Sequence, residues 1–349
     1  MQTDWLLKTQ QDITEQDWLN WQHLVDCDHA GKLVFHRDFV ALLVKYFAVD
    51  YYLAIYQPEK TIRQMCLLKR RSVGVWHLVH PSQATSALIV GKCETDWKGL
   101  FLALPGFAWR LDLYSLDIED HRSIIETNQP KQLEPANLDI TVDLRIGFNE
   151  YIRRRPKKLR QNLDRYARRL TQDSKSLRLQ VLTAPGDIAE AVRRYAKLEC
   201  LGWKGQRGTA LSQDNEQTLF YSEVLTFLAS QQRALIAELY ADDELLASRL
   251  CMFNAERFIC LKTTYNETQK HYAPGRLLLH KLLEYLFETR ISSKVDFYTN
   301  TNADQIDWST HARLFYNCSI YKHSKALQIS ELLKILVHTI RKVKNKNLS

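Results

Sequence analysis

Leu198-Glu199-Cys200-Leu201-Gly202-Trp203-Lys204-Gly205-Gln206-Arg207-Gly208-Thr209-Ala210 sets three glycines around one Trp and one Lys, directly after a helical pattern. Glycine tolerates backbone conformations closed to other residues, so the chain turns sharply there beside a large aromatic ring and a cation. The segment gains meaning from Tyr272-Ala273-Pro274-Gly275-Arg276-Leu277-Leu278-Leu279, which places Pro-Gly at the mouth of an apolar helix. Free N–H groups and the helix dipole favour an anionic group at such a mouth. Each has a plainer reading, the first as a helix C-cap with its loop and the second as a helix start signal.

Working outward, the segments between residues 145 and 325 alternate helical and strand spacing. Leu159, Leu163, Tyr166 and Leu170 make a helix face with Pro156 at its first turn, and Leu177, Leu179 and Val181 alternate as a strand. Helices are predicted over Asp187–Leu201 and Leu219–Ala229. Leu235–Tyr240, Leu245–Phe253 and Phe258–Tyr265 read as an antiparallel meander, its turns being Asp242-Asp243-Glu244 and Asn254-Ala255-Glu256. A helix over Leu277–Thr289, a strand at Val295–Thr299, a helix around Ala303–Phe315 and a strand at Ser319–Lys322 complete this half.

The first half predicts helices around Trp18–Val25 and Phe39–Phe47 and strands at Tyr51–Tyr56, Ile62–Leu68 and Val75–Val79. Turn chemistry at Pro130–Asn137 predicts a linker, dividing the 349 residues into lobes 1–137 and 138–325 and a basic amphipathic tail, 326–349. The fold class is α/β (α+β), each lobe a mixed, mostly antiparallel sheet flanked by helices.

The strand-loop-helix over Tyr265–Leu279, the Leu198–Ala210 segment and Asp296-Phe297 together resemble the GNAT superfamily. The likeness is nearest to the bacterial subgroup with two tandem GNAT-like lobes, the CelD-like or cellulose-biosynthesis-type acetyltransferases, and more distantly to Fem-type transferases. It covers residues 145–322 well and the first lobe in outline. The pyrophosphate loop is reduced to Pro274-Gly275, and where the subgroup often has Tyr-Lys after the Asp-Phe strand this chain has Asn300–Trp308.

The resemblance implies an acyl-CoA co-substrate, an amine or hydroxyl acceptor such as a sugar or polysaccharide precursor, and a cytoplasmic protein. Cofactor contacts would come from Tyr265, Asn266, Pro274, Gly275 and Arg276, and acceptor contacts from Trp203, Lys204 and Gly205. Glu199 and Asp296 are the preferred base candidates, with Glu238 behind them, and Tyr316 is the candidate acid for the leaving thiolate. Solvated or paired carboxylates and a core Tyr are the competing readings. A Fem-type transferase using aminoacyl-tRNA, and a non-catalytic binding protein of an envelope-polysaccharide system, are the alternatives.

Charge leaves the partner open. The net charge of +8 suits any anionic partner. The run Arg153-Arg154-Arg155-Pro156-Lys157-Lys158-Leu159-Arg160 reads as phosphate clasp or as solvated face, and no interleaved aromatics point to specific nucleic-acid binding. The basic tail is a candidate for weak contact with an anionic membrane surface. The polar start predicts no secretory signal, and no apolar run approaches the roughly 20 residues of a membrane span. Seven cysteines without CxxC pairs read as reduced, and neither they nor the histidines show metal-ligand spacing. No Cys-His or Ser-His-Asp pattern supports an acyl-enzyme, so direct attack in a ternary complex is expected.

Overall fold

A computed structural model describes residues 3–201, 215–298 and 301–332. The chain forms two compact units, one of residues 1–30, 48–137 and 314–349, the other of residues 31–47 and 138–313.

In the first unit, strands Trp5–Thr9, Tyr51–Tyr56, Gln64–Ser72, Gly74–Leu78, Ala108–Asp117 and the unit's part of His311–Tyr321 lie side by side in that order. All pair antiparallel except Gly74–Leu78 with Ala108–Asp117. Helix Glu15–Asp28 starts at a capping box, Thr14 with Asp17, and Lys8 Nζ lies 2.8 Å from both Asp17 oxygens. Trp5, Trp76, Trp97 and Phe101 fill the core.

Two expectations fail in physically instructive ways. The predicted linker Pro130–Asn137 ends where the first unit's segment ends, but from Lys131 on it lies in a 13-residue strand, Lys131–Asp143, rather than in turns. Pro135 is an exposed residue of that strand. The predicted helix Ala303–Phe315 is a single turn, Ala303–Ile306, followed by the long strand His311–Tyr321. Asn302 and Gln305 close a capping box around that turn, but the next residues alternate, burying Arg313 and Phe315 and exposing Leu314.

The second unit's sheet runs Leu138–Asp143, Lys294–Asp296, Arg257–Tyr265, Glu244–Phe253, Ala234–Ala241, Leu177–Leu182, counting only this unit's part of the first strand. Only Arg257–Tyr265 and Lys294–Asp296 pair in parallel. On one face, helices Lys157–Gln172 and Pro274–Thr289 bring Leu159, Leu163, Leu170, Leu278, Leu282 and Leu286 onto Leu235, Ala237, Leu239 and Cys251. Strand alternation sends Glu238 to the opposite face, where Arg194 of helix Pro185–Cys200 meets it at 2.9 and 3.0 Å. Helix Glu216–Ser230 packs beside that helix and takes Phe39 and Phe47 of helix Arg37–Phe47 against Phe220.

Four buried ionisable side chains tie this sheet together. Arg313 Nη2 donates to Asp139 at 2.7 Å and to Asp296 at 3.0 Å, and Arg257 Nη1 donates to the same Asp296 oxygen at 3.0 Å. All four residues are at least nine-tenths buried. Burial, and then the neighbouring Asp296 charge, push the Asp139 carboxyl up to about 8.

A carboxyl with a raised folded pKa contributes stability that is fully present below its unfolded pKa and lost as pH rises through the folded one. Asp139 spans the window from 3.8 to about 8. The melting temperature should therefore fall from pH 5 to about pH 8 more steeply in the parent than in Asp139→Asn, which stays neutral. Parallel slopes in scanning calorimetry would show that Asp139 is already ionised in the folded chain.

Candidate functional site

Strand Arg257–Tyr265 keeps its parallel neighbour for only three pairs, the last being Ile259 with Asp296. Beyond that point, among the described residues, it is paired with Glu244–Phe253 alone. The same strand carries a bulge. Leu250 pairs with Lys262 and Cys251 with Cys260, so Leu261 is an extra residue. In a regular strand Cys260 and Lys262 would share a face. Here Cys260 joins the cluster under helix Pro274–Thr289, while Lys262 meets Glu199 on the helix Pro185–Cys200 side.

The parallel neighbour Lys294–Asp296 is followed by Tyr298, whose φ of 46° is rare for a residue with a side chain. Its N–H donates to Asp296 Oδ1 at 3.0 Å, so the carboxylate that takes both guanidiniums also holds this turn. Asp296 thus has three donors and acts as a pin. Such local strain concentrates where a surrounding structure over-determines it.

Beside this strand stands a group of polar residues. Glu199, in the last turn of helix Pro185–Cys200, is 1% exposed, accepts from Tyr195 Oη at 3.2 Å and has Lys262 Nζ 3.9 Å away. Lys262 Nζ also lies 5.7 Å from the Tyr221 ring centroid. Burial raises the Tyr195 and Tyr221 hydroxyls, with Glu199 adding to both and Tyr298 to Tyr221. They stay protonated donors at neutral pH. Glu199 thus has a tyrosine donor and a lysine within ion-pair distance, and that lysine in turn lies over the Tyr221 ring.

At helix Pro274–Thr289, Ala273 has φ 51° and supplies no side-chain cap, and Pro274 has no N–H. Arg276 donates to Tyr166 Oη at 3.0 Å and Asp304 at 2.6 Å. Asn266 accepts from Thr268 and donates to Glu244 at 2.9 Å, while Tyr265 is exposed. The five residues assigned to the cofactor therefore frame one strand-to-helix connection, with the Asn266 and Arg276 side chains already engaged.

Trp203, Lys204 and Gly205 lie outside the described residues, as does the tail beyond Leu332. Tyr316 belongs to the first unit, on a strand register opposite Leu116 and packed against that unit's core. Cys200 is exposed with its thiol pushed up by burial and by Glu199, which leaves it protonated. Glu238 is held by Arg194 and by Tyr240 at 2.9 Å. Lys262, Tyr221, Tyr298, Asp139 and Arg313 were missed. Lys262 carries a readable signal, a cation directly after the apolar run Phe258-Ile259-Cys260-Leu261. Among the described residues no group of His, Cys, Asp and Glu could hold a metal ion, and no helix is long and apolar enough to cross a membrane.

Residues 157–305 match the family model described as acetyltransferase (GNAT) domain. No curated protein sequence matches the chain. Among solved structures, a conserved protein of unknown function from Bacteroides thetaiotaomicron VPI-5482 is similar at TM-score 0.56 and 12% identity, covering 90% of this chain and 100% of that one. The C-terminal domain of a putative lysylphosphatidylglycerol synthetase from Agrobacterium fabrum gives TM-score 0.54 and 13% identity, covering 91% and 95%. FemX gives 0.54 and 10%, covering 90% and 97%. At these identities the likeness is one of fold.

A Cβ built on Gly275 would meet only Tyr265 Cδ1, at 3.6 Å, an ordinary contact. Gly275→Ala should accordingly hold or raise stability, by up to about 1 kcal/mol through the unfolded chain. A loss of more than about 1 kcal/mol in urea unfolding would mean that this connection needs glycine for its backbone.

Proposed function

We propose that this chain, whose residues 157–305 carry a GNAT acetyltransferase domain, moves an acyl group from acyl-CoA to an amine or hydroxyl by direct attack in a ternary complex. The carrying observation is the bulged strand Arg257–Tyr265, which leaves its parallel neighbour after Ile259. Backbone N–H groups on that freed edge can hold the pantetheine chain and polarise the thioester carbonyl, a role that needs no side chain. Glu199 accepts the acceptor's proton, and Lys262 offsets the carboxylate's charge when the proton leaves. The nucleophile's lone pair forms the new bond to the carbonyl carbon as the C–S bond breaks, and the thiolate is protonated on departure. Asp296 serves as the pin for Tyr298, leaving Glu199 as the base. Trp203, Lys204 and Gly205 remain the proposed acceptor contacts, Tyr316 the proposed acid, and a saccharide precursor the proposed acceptor in the cytoplasm.

A second reading rests on helix Lys157–Gln172, where Lys157, Lys158, Arg160, Arg165, Arg168 and Arg169 face a single acid, Asp164. An aminoacyl-tRNA donor would suit that surface, since phosphate contacts dominate nucleic-acid affinity. FemX and the lysylphosphatidylglycerol synthetase domain share the fold, which keeps this reading in view.

Titration calorimetry with acetyl-CoA decides between them. Micromolar to millimolar binding, lost in Gly275→Asp, is expected because the new carboxylate stands where phosphate is proposed. No binding at millimolar acetyl-CoA, together with salt-sensitive binding of charged tRNA, would transfer the assignment to the second reading.

Thiol release from acetyl-CoA offers a separate check once an acceptor is found. Glu199→Gln should lower kcat about 10²- to 10⁴-fold, the usual contribution of a general base. Cys200→Ala should keep most activity, because that thiol is exposed and protonated. An unimpaired Glu199→Gln enzyme would remove Glu199 from the mechanism.

A further inference from the structure

Arg249 is buried, 6% exposed, yet no carboxylate lies within ion-pair distance of it among the described residues. Its Nε is buried without an acceptor, and its guanidinium stands 5.9 Å from the Phe297 ring. The acceptor it does have is sulfur: Nη1 donates to Cys260 Sγ at 3.3 Å. A buried cation without a counter-charge is costly, and a thiolate at Cys260 supplies one. Cys251 sits directly across the strand pair from Cys260, at the bulge, and its S–H donates to the Arg249 carbonyl at 3.8 Å. Directly opposed antiparallel residues have Cα atoms about 4.5–5.5 Å apart, inside the window of about 4.4–6.8 Å that a disulfide spans.

We propose that Cys260 and Cys251 form an oxidisable dithiol, with Cys260 attacking a hydroperoxide and Cys251 closing a disulfide across the two strands. The Cys260 thiolate attacks the distal peroxide oxygen, the O–O bond breaks, and the departing alkoxide or hydroxide takes a proton to become alcohol or water. Cys251 then gives up its proton and attacks the sulfenic sulfur, and the expelled hydroxide leaves with that proton as water. Two electrons pass from the sulfurs to the peroxide.

The order of the two thiols follows from their surroundings. The Cys251 thiol and the Arg249 guanidinium pull Cys260 down to about 7, whereas burial pushes Cys251 well up. Cys66 and Cys318 are pushed to about 12 and Cys93 to about 11. Reactivity in a thiol follows its thiolate fraction. The proposal holds whether or not the lobe transfers acyl groups, since its readout is covalent.

The folded, reduced full chain is treated with sub-millimolar hydrogen peroxide, blocked with iodoacetamide and digested with trypsin. Cys251 and Cys260 fall in separate peptides, residues 250–257 and 258–262, each with one cysteine. Expected is a cross-link between those two peptides, reversed by dithiothreitol, and in Cys251→Ser a dimedone adduct at Cys260. Arg249→Met should slow the oxidation roughly tenfold at neutral pH, as the thiolate fraction falls. Should that variant not fold, the parent's oxidation rate between about pH 5.5 and 8.5 should rise and level off above about 7. Cys260 left unmodified in the folded chain while exposed Cys27 reacts, or an oxidation rate flat across that pH range, would overturn the proposal.

Discussion

Two carboxyl groups and two guanidiniums buried within one hydrogen-bonded group set the terms for the second unit. Each ion costs several kcal/mol to remove from water, and only its partners offset that cost. Asp139, Arg257, Asp296 and Arg313 come from four different strands, so those strands must arrive in one register. A slip by one residue would strand an unpaired charge in the interior. Because Asp296 also holds the Tyr298 N–H, the point at which the parallel neighbour turns away from Arg257–Tyr265 is tied to the same group.

Along strand Arg257–Tyr265, contacts are distributed by a single extra residue. Leu261 breaks the two-residue period, so Lys262 is delivered to Glu199 and Cys260 to Arg249. One strand thereby serves a lysine–carboxylate pair on one face and a thiol–guanidinium pair on the other. Neither arrangement depends on a glycine-rich signature. The Pro274-Gly275 connection is correspondingly plain, its helix mouth uncapped by any side chain and its Arg276 already paired with Tyr166 and Asp304.

Much of this lobe was legible because its elements obey one period over many residues. Leu159, Leu163, Tyr166 and Leu170 announce their helix, and all four are buried in it. The meander from Ala234 to Tyr265 and the helix from Pro274 stand within a few residues of where alternation and Pro-Gly put them. Misreadings arose where local chemistry and burial conflict. Pro135 and Asn137 speak for a turn, yet the chain runs extended through them because its neighbours have strand partners. Ala303–Phe315 begins with a true helix start and then changes period within a few residues.

The sequence by itself determined the alternation of helices and strands and the resemblance whose domain model matches residues 157–305, since these rest on local spacing and short motifs. Only the tertiary structure decided that Asp296 takes donors from Arg257, Arg313 and the Tyr298 N–H, that Tyr316 packs against the first unit's core, and that Tyr195 and Lys262 reach Glu199 while Lys262 lies over Tyr221. The physical reason is separation along the chain. A carboxylate's role is set by which donors reach it, and Asp296 receives its donors from Arg257 and Arg313, residues that no local pattern connects.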